Sequence, residues 1–394
     1  MKLTSLFTSL IILLYTVPVR VFAHGTEAEH SQETAGNGLV TNGIIISLVL
    51  LVLGVITWLL LKNLLKKVNV KNQEGRSKRD RLKKWLRISQ WISAVSLLLL
   101  FTTGTFSAIN GDGKENEVEL MDIHGLGITN EDSEIYIPAH DGLKVFKGGI
   151  WSSTEGGKHD YMGFSMVDDG FYSSGHPGAG SSLKNPFGVV KTTDMGQTLE
   201  MLDLYQEVDF HGMAVGYNTH AIYVMNPQAN SRMDEAGLYY STDDTKTWTR
   251  SDMTGLQGPI YTIAVHPTNE AIVALGTGEG VFLSNDFGQS FNSVSDSPTT
   301  AVAFSAKGEL IAGSTSDEMT LTKFVSETKE PILLSIPSLS EGNTISYIAV
   351  NPQNEKQITF ATAEKDIYLT EDSGQNWNLI ADKGQGINLK SETE

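Results

Sequence analysis

An eight-residue phrase recurs four times in the C-terminal two thirds of the chain, with the pattern Ser/Thr-x-Asp-x-Gly-x-polar-aromatic/apolar. The four copies begin at Thr192, Ser241, Ser284 and Thr370. A short Asp side chain accepts hydrogen bonds from nearby backbone amides, and Gly adopts a positive φ at no steric cost, so the phrase predicts a tight turn between two strands. The positions that we assign to this structural role are Asp194, Gly196, Asp243, Trp248, Asp286, Gly288, Asp372, Gly374 and Trp377.

Each turn lies in a longer repeat of four predicted strands, between the third strand and the fourth. First strands with a small residue near their centres begin at positions 124, 161, 211, 261, 300 and 346. Repeats of roughly 40 residues with four strands each are typical of β-propellers. The sequence therefore predicts an all-β, six-bladed propeller over residues 117–384, followed by a tail at 385–394. A seventh blade would need a cryptic unit inside the longer second or third repeat.

The N-terminal third predicts a membrane anchor. Residues 1–23 resemble a secretory signal peptide that ends at Val21-Phe-Ala23, with an uncleaved anchor as the alternative. Residues 43–61 and 89–108 are apolar and predict two transmembrane helices, of which the second is weaker because Ser and Thr are mixed into it. The loop 62–88 between them is rich in Lys and Arg, which predicts a cytoplasmic location and places both the 24–42 segment and the propeller on the extracytoplasmic side.

The charge of the propeller region limits its partners. Residues 109–394 carry 16 of the 29 basic residues and 41 of the 46 acidic ones, a net charge of −25. Such a surface disfavours binding to nucleic acid, so the expected partners are a protein or glycan ligand outside the cell, and membrane lipid around the helices. The chain has no Cys, and a closed propeller of this size buries a core without disulfides.

Polar and aromatic side chains at the starts of the first strands predict a binding site at one mouth of the central channel. The residues that we assign to it are His124, Tyr161, His211 and Tyr261, with His176 from the end of a second strand. A ring of this kind suits a ligand, and it also describes a hydrated channel mouth without one. Five of the His residues in the first three repeats (124, 140, 159, 176 and 211) lie near strand starts or ends, but their spacings match no tight metal motif. We therefore predict no metal site and no cofactor, with metal handling in the cell envelope as a secondary alternative.

The four phrases resemble the Asp-box, or bacterial neuraminidase, repeat of sialidases, sortilin-type receptors and photosystem-assembly propellers. The domain as a whole, with Asp122-Ile-His-Gly and Gly175-His-Pro-Gly, resembles bacterial membrane-linked proteins described as predicted glycosyl hydrolases. In these families the Asp boxes lie on outer hairpins, away from the binding mouth. The resemblance therefore implies the propeller fold and leaves the activity open.

An enzymatic function remains an alternative to binding. Sialidases hold the substrate carboxylate with three arginines, whereas the propeller region has only Arg232 and Arg250, so a sialidase is excluded. Another glycosidase would need two facing carboxylates. The acids that we consider for this role are Asp122, Asp160, Asp209, Glu235 and Glu279. The preferred hypothesis is a membrane-anchored binding or assembly module that performs no covalent chemistry.

Overall fold

The computed structural model describes residues 30–69, 72–111, 118–130, 132–315, 318–325 and 330–389, with side chains from residue 47 onward except those of 101–111. The predicted signal peptide at 1–23 and the last five residues of the tail lie outside the described residues. The chain divides into two compact units, Met1–Glu115 and Asn116–Glu394.

The first unit contains two long helices, α1 (His30–Lys66) and α2 (Gln73–Gly111). Helix α1 begins within the segment predicted as 24–42, and α2 begins within the predicted basic loop. The predicted loop 62–88 is therefore mostly helical. Its charged residues favour helix as readily as Leu does, so a polar composition there does not break the helix.

One segment among the described side chains is long and apolar enough to cross a membrane, Ser47–Lys66 in α1. The sequence predicts two such segments. The second, 89–108, lies inside α2, where Ser, Thr and Gly lower the mean hydropathy and the side chains are described only as far as Leu100. The structure thus gives one spanning candidate, and the second span remains a prediction.

The second unit consists of six antiparallel sheets, each made from consecutive strands. Blade 1 contains β1 (Gly127–Ile128), β2 (Ile135–Ala139), β3 (Gly142–Lys147) and β4 (Ile150–Ser153). Blade 2 contains β5 (Asp160–Val167), β6 (Gly170–His176), β7 (Val189–Thr192) and β8 (Glu200–Asp203). Blade 3 contains β9 (Met213–Val215), β10 (Ile222–Asn226), β11 (Gly237–Ser241) and β12 (Thr249–Arg250).

The remaining three blades follow the same order. Blade 4 contains β13 (Ile260–Val265), β14 (Val273–Thr277), β15 (Gly280–Ser284) and β16 (Asn292–Ser295). Blade 5 contains β17 (Thr299–Phe304), β18 (Leu310–Thr315), β19 (Met319–Phe324) and β20 (Ile332–Leu334). Blade 6 contains β21 (Ile345–Val350), β22 (Ile358–Thr362), β23 (Ile367–Thr370), β24 (Asn378–Asp382) and β25 (Gln385–Gly386).

The blades close into a ring around their first strands. Each first strand contacts the first strands of its neighbours, and β1 contacts both β5 and β21. Apolar side chains from blades 1 and 6 share one core cluster, which includes Ile137 and Ile367. The prediction of an all-β, six-bladed propeller is therefore confirmed, and the described residues contain no seventh sheet.

The ring is closed from both ends of the propeller sequence. The backbone of Leu120 donates to the carbonyl of Gly384 (2.7 Å), and Gly386 donates to the carbonyl of Val118 (2.8 Å), so the N-terminal segment extends the outer edge of blade 6. In the other direction, Leu389 donates to the carbonyl of Gly149 in blade 1 (2.8 Å). This closure gave no signal in the sequence, because the pairing segments are short and carry no repeat pattern.

The four repeated phrases form turns between the third and fourth strands of blades 2, 3, 4 and 6; we call them the Asp turns. In the first, Asp194 accepts hydrogen bonds from the hydroxyl of Thr192 (2.7 Å) and from the backbone and hydroxyl of Thr198 (2.9 and 2.6 Å). The other three repeat these bonds around Asp243, Asp286 and Asp372. The hydrogen bonds to each aspartate are therefore made within the turn itself.

The Trp residues that directly precede two of the fourth strands connect neighbouring blades. The indole Nε1 of Trp248 donates to Asp203 of blade 2 (3.0 Å), and that of Trp377 donates to the carbonyl of Ser335, just after β20 of blade 5 (2.7 Å). Blades 1 and 5 lack the Asp turn, as predicted. Blade 1 uses the pair Gly148-Gly149 instead, both with positive φ, which is the two-residue hairpin geometry.

Candidate functional site

The candidate site lies at the mouth of the channel where the first strands begin. In a four-stranded antiparallel blade, the turn between the second and third strands lies at the same end as the start of the first strand. The turn between the third and fourth strands lies at the opposite end. Residues before β1, β5 and β9 therefore meet residues that follow β2 and β6. The Asp turns lie away from this mouth.

Three residues from blades 1 and 2 form the first His–Asp group: His124, His140 and Asp160. Nε2 of His124 lies 3.3 Å from Oδ1 of Asp160, and Nδ1 of His140 lies 2.8 Å from Oδ2 of the same carboxylate. Asp160 is the first residue of β5, and only 10% of its side chain is exposed. One buried carboxylate thus faces two imidazoles of the neighbouring blade.

Three residues from blades 2 and 3 form the second His–Asp group: His176, Asp209 and His211. Oδ2 of Asp209 lies 3.1 Å from Nε2 of His176 and 2.7 Å from Nε2 of His211. The side chain of Asp209 is 13% exposed. As in the first group, one carboxylate faces two imidazoles, but here they come from two neighbouring blades and contact the same oxygen.

The two groups are electrostatically coupled. Burial lowers the pKa of His124, and the carboxylates of Asp160 and Asp122 oppose this only in part. The hydrogen bond to Asp160 raises the pKa of His140 despite desolvation. The charge of Asp160 also raises the pKa of His211, after the larger effect of the hydrogen bond from His211 to Asp209. The mouth therefore combines a neutral imidazole with imidazoles that favour protonation.

Within the second group, the carboxylate and the imidazoles stabilise each other's charged forms. The hydrogen bond to Asp209 raises the pKa of His176 to about 9, and a further bond from Nδ1 to Oδ1 of Asn185 (2.5 Å) adds to this effect. Burial of Asp209 would raise its carboxyl pKa, but the hydrogen bonds from His176 and His211 outweigh burial and lower it. At neutral pH the group is an ion pair.

Behind the mouth, the first strands enclose a channel cavity of ≈ 440 Å³. His124 and His211 line it, so both groups open into the same space. Tyr261 of blade 4 also lines it with 57% of its surface exposed, as do Thr300 and Ser346 of blades 5 and 6. The predicted ring of first-strand residues is therefore present in five of the six blades.

Tyr161 does not reach the channel, in contrast to the expectation for blade 2. It is fully buried against Phe171, and its ring packs edge-on to that side chain. The register of β5 shifts between Met162 and Ser165, and Gly163 has a φ of 56°. This bulge changes which side chains face the channel. His159 also stays in the core, where burial lowers its pKa and its Nδ1 accepts a hydrogen bond from the backbone of Gly178 (3.1 Å).

Of the five acids considered for catalysis, only two contact imidazoles at the mouth. Asp160 and Asp209 each contact two imidazoles, and Asp122 is exposed beside the first group. Glu235 is exposed and pairs with Arg250 on the outer strand of blade 3 (3.3 Å). Glu279 is exposed in the turn between β14 and β15, where its backbone donates to Thr277 (3.1 Å).

Sequence reasoning left two features unassigned. His140 is absent from the predicted binding residues. The sequence His140-Asp-Gly comes at the end of β2, as His176-Pro-Gly comes at the end of β6. This parallel is the sequence signal that identifies His140. A third cluster, the distal group of Asp168, Asp169 and His220, lies at the opposite end of the ring between blades 2 and 3. Nε2 of His220 is 2.7 Å from Oδ1 of Asp168 there.

Comparisons with known proteins do not identify a family for the chain. No protein-family model matches the chain, and no curated protein matches it. The predicted assignment to the Asp-box family is therefore unconfirmed. Among solved structures, the chain is similar to the GH74 enzyme of Niastella koreensis with 13% identity over 68% of this chain and 47% of that one (TM-score 0.44). The chain thus spans about half of that enzyme's length.

Two further solved propellers match over more of their own length. YCF48 bound to a D1 peptide shows 12% identity over 68% of this chain and 86% of that chain (TM-score 0.41). The β-propeller domain of Myceliophteria thermophila Cps50 (Swd1) shows 11% identity over 69% and 91% (TM-score 0.44). At these identities the similarity concerns the propeller fold alone, a fold shared by enzymes and by binding modules.

Proposed function

We propose that this chain is a membrane-anchored, extracytoplasmic propeller of the Asp-box type that binds a protein or glycan ligand at its mouth without covalent chemistry. The supporting observation is the convergence of the two His–Asp groups, from three successive blades, at one end of the channel. A concave site with a few convergent polar groups is the usual form of a ligand site.

The exposed side chain of Tyr261 on the same mouth supports a binding role. Tyrosine presents a large apolar face together with a hydroxyl, and it is enriched in protein interfaces and hot spots. The strongly acidic surface of the propeller region favours a neutral or basic ligand over nucleic acid. Polar contacts around an exposed aromatic ring suit either a protein loop or a glycan.

The charge state of the second group weighs against the glycosidase alternative. Glycoside hydrolysis uses one carboxyl group as a general acid, which requires a raised pKa. The hydrogen bonds from His176 and His211 lower the pKa of Asp209 instead. Glu235 is paired with Arg250, and Arg232 contacts Asp203. Neither of these acids lines the channel cavity.

The internal hydrogen bonds of the Asp turns support the Asp-box assignment. All four aspartates accept equivalent backbone and side-chain bonds. Each turn also has two consecutive residues with positive φ, and in three of the turns the second of these is Gly. The second Asp turn has Thr245 at that position, also with positive φ. A common side-chain network across four blades is what a shared structural repeat requires.

The first unit supports the membrane anchor. Helices α1 and α2 pack with small residues between them: Gly54 lies against Ser93, and Ser47 and Ser96 are buried. Apolar side chains instead point outward, including Leu60 on α1 and Leu98 on α2. Small residues inside and apolar residues outside are typical of helix pairs in lipid, where the apolar side chains face the acyl chains.

Site-specific photocrosslinking tests the binding proposal. A photoreactive phenylalanine analogue replaces Tyr261 in the full chain in cells, and a matched control places it at exposed Gln375, in the Asp turn of blade 6. We expect a discrete crosslinked species from position 261 that the double variant His124→Ala/His211→Ala loses. Crosslinks that persist in the double variant, or that form equally from position 375, contradict the proposal.

Labelling of introduced cysteines tests the membrane topology, and the natural chain contributes no background because it has no Cys. Ser182→Cys lies on an exposed loop of blade 2, and Ser77→Cys lies near the start of α2 among the basic residues. We expect a membrane-impermeant maleimide to label position 182 in intact cells, and position 77 only after the membrane is disrupted. The reverse pattern, or equal labelling, refutes an external propeller.

A further inference from the structure

We propose that the first His–Asp group binds a divalent first-row transition-metal ion through His124, His140 and Asp160. This inference rests on the proposed binding function of the mouth and gives it a ligand class. Two imidazoles and one carboxylate are a recurrent set of protein ligands for such ions, and they leave coordination positions open. Because His124 lines the channel, the open positions would face the cavity.

The contact between His124 and Asp160 has the spacing of two metal ligands. Nε2 and Oδ1 lie 3.3 Å apart. Two ligand atoms that each lie about 2.1 Å from an ion are separated by roughly 3.0 Å in an octahedral site and roughly 3.4 Å in a tetrahedral one. The ligand atoms of all three residues lie within 4.8 Å of one another. Small side-chain rotations would therefore bring them around one ion.

The hydrogen bonding of the same pair also points to a ligand. Neither Nε2 of His124 nor Oδ1 of Asp160 has a hydrogen-bond partner among the described residues, although both atoms are buried. Burying a polar atom without a partner is unfavourable, so such atoms usually have a role. An ion between them would satisfy the nitrogen lone pair and the carboxylate oxygen together.

The second His–Asp group is less suited to hold the ion. Oδ2 of Asp209 already faces both His176 and His211, and the other nitrogen of His176 is bonded to Asn185. An ion bound there would displace these hydrogen bonds. In the first group the ion would disturb one such bond, between Nδ1 of His140 and Oδ2 of Asp160. His124 and Asp160 would lose none to each other, because their contact lacks hydrogen-bond geometry.

Metal titration of the full chain in detergent micelles tests the proposal. Protein stripped with a chelator is titrated with Co²⁺ and followed by its visible absorption, alongside His124→Gln, Asp160→Asn, His176→Gln and His220→Gln. The last is the matched control, because His220 also contacts an aspartate at 2.7 Å but lies in the distal group. We expect one Co²⁺ per chain, and affinity about tenfold weaker or worse in the first two variants. Binding should be unchanged in His220→Gln.

Three outcomes would overturn the assignment: no saturable binding, binding unchanged in His124→Gln, or a site lost in His176→Gln or His220→Gln but kept in His124→Gln. If His124→Gln and Asp160→Asn fail to fold, His140→Gln decides the question, because the side chain of His140 is the most exposed of the three. Its affinity for Co²⁺ should fall as well, and an unchanged affinity would overturn the assignment. Because the titration uses the ion alone, its failure leaves the crosslinking result at position 261 intact, and the reverse also holds.

Discussion

The indole Nε1 of Trp151 donates a 2.6 Å hydrogen bond to the carbonyl oxygen of Ile380 and so joins blade 1 to blade 6. Both residues are buried in the cluster that these two blades share. The same carbonyl also accepts from the backbone of Ile387 (2.8 Å). The junction where the ring closes therefore depends on one side chain for both apolar packing and a hydrogen bond.

Replacing Trp151 by Phe should weaken this junction. We expect a loss of about 2 kcal/mol in the free energy of unfolding, from the missing hydrogen bond and the space that the smaller ring leaves. Denaturant unfolding of the full chain measures it. Trp377→Phe is the matched control, since its indole donates to Ser335 at a more exposed site and should cost less. Equal losses in the two variants would refute a special role for the closing junction.

Two glycines with the same backbone conformation should differ in their tolerance of Ala. Gly196 and Gly374 both have a φ of 86° in their Asp turns. A Cβ on Gly374 would meet nothing closer than 3.4 Å, whereas one on Gly196 would lie 2.8 Å from the buried hydroxyl of Tyr161. We expect about 1 kcal/mol of destabilisation for Gly374→Ala and about 2–3 kcal/mol for Gly196→Ala. Thermal unfolding of both variants checks this difference. Equal destabilisation in the two variants would contradict it.

The Asp turns should make stability depend on pH in the acid range. Hydrogen bonds from Asn376 and Thr370 lower the pKa of Asp372 from 3.8 to about 2. A lowered carboxyl pKa contributes stability that is present above pH 3.8 and is lost as the pH falls through about 2. Asp372→Asn should therefore melt at a lower temperature than the natural chain at pH 7, and the gap should close near pH 2.

The control for this comparison is Glu371→Gln, at the exposed neighbouring position. It should leave the melting temperature nearly unchanged across the same pH range. A deficit in Asp372→Asn that stays constant from pH 7 to pH 2 would show that shape, and not the carboxylate charge, stabilises the turn.

Asp209 should control the protonation of His176. Since the hydrogen bond to Asp209 is the largest cause that raises the pKa of His176 to about 9, Asp209→Asn should return this pKa toward 6.5. Nuclear magnetic resonance of histidine-labelled protein measures the titration, with His176→Gln to assign the signal. His266 of blade 4, whose pKa is lowered by burial, is the internal control and should be unaffected by the change. An unchanged His176 midpoint would rule out the ion pair.

The fold was largely predictable because its signals are local. Each Asp turn encodes its own hydrogen bonds within eight residues, and small residues mark the crowded first strands, so the number of blades follows from counting. Ring closure was not predictable, since Leu120 and Gly384 meet only after every blade is in place. The extent of α1 and α2 was also missed, because charged residues at 62–88 are compatible with both loop and helix.

The site was predictable in part. His124, His176 and His211 follow from their positions at strand ends, but the sequence does not indicate which carboxylate each imidazole contacts. Those contacts depend on how neighbouring blades are positioned against each other, which places the carboxylate of Asp160 in contact with His124 and His140 of blade 1. Tyr161 was misplaced because a single bulge at Gly163 redirects its strand.

The Asp turns make the hydrogen bonds to their aspartates inside eight consecutive residues, while Trp248 and Trp377 bond to neighbouring blades. Apart from those outward bonds, such a unit can be copied, lengthened or deleted by a change in the gene with little matching change elsewhere in the ring. Blades 1 and 5 form four-stranded sheets without this turn, so the ring does not require it in every blade. Diversification of this propeller can therefore proceed one hairpin at a time at the outer rim, while the histidine-bearing mouth is left undisturbed.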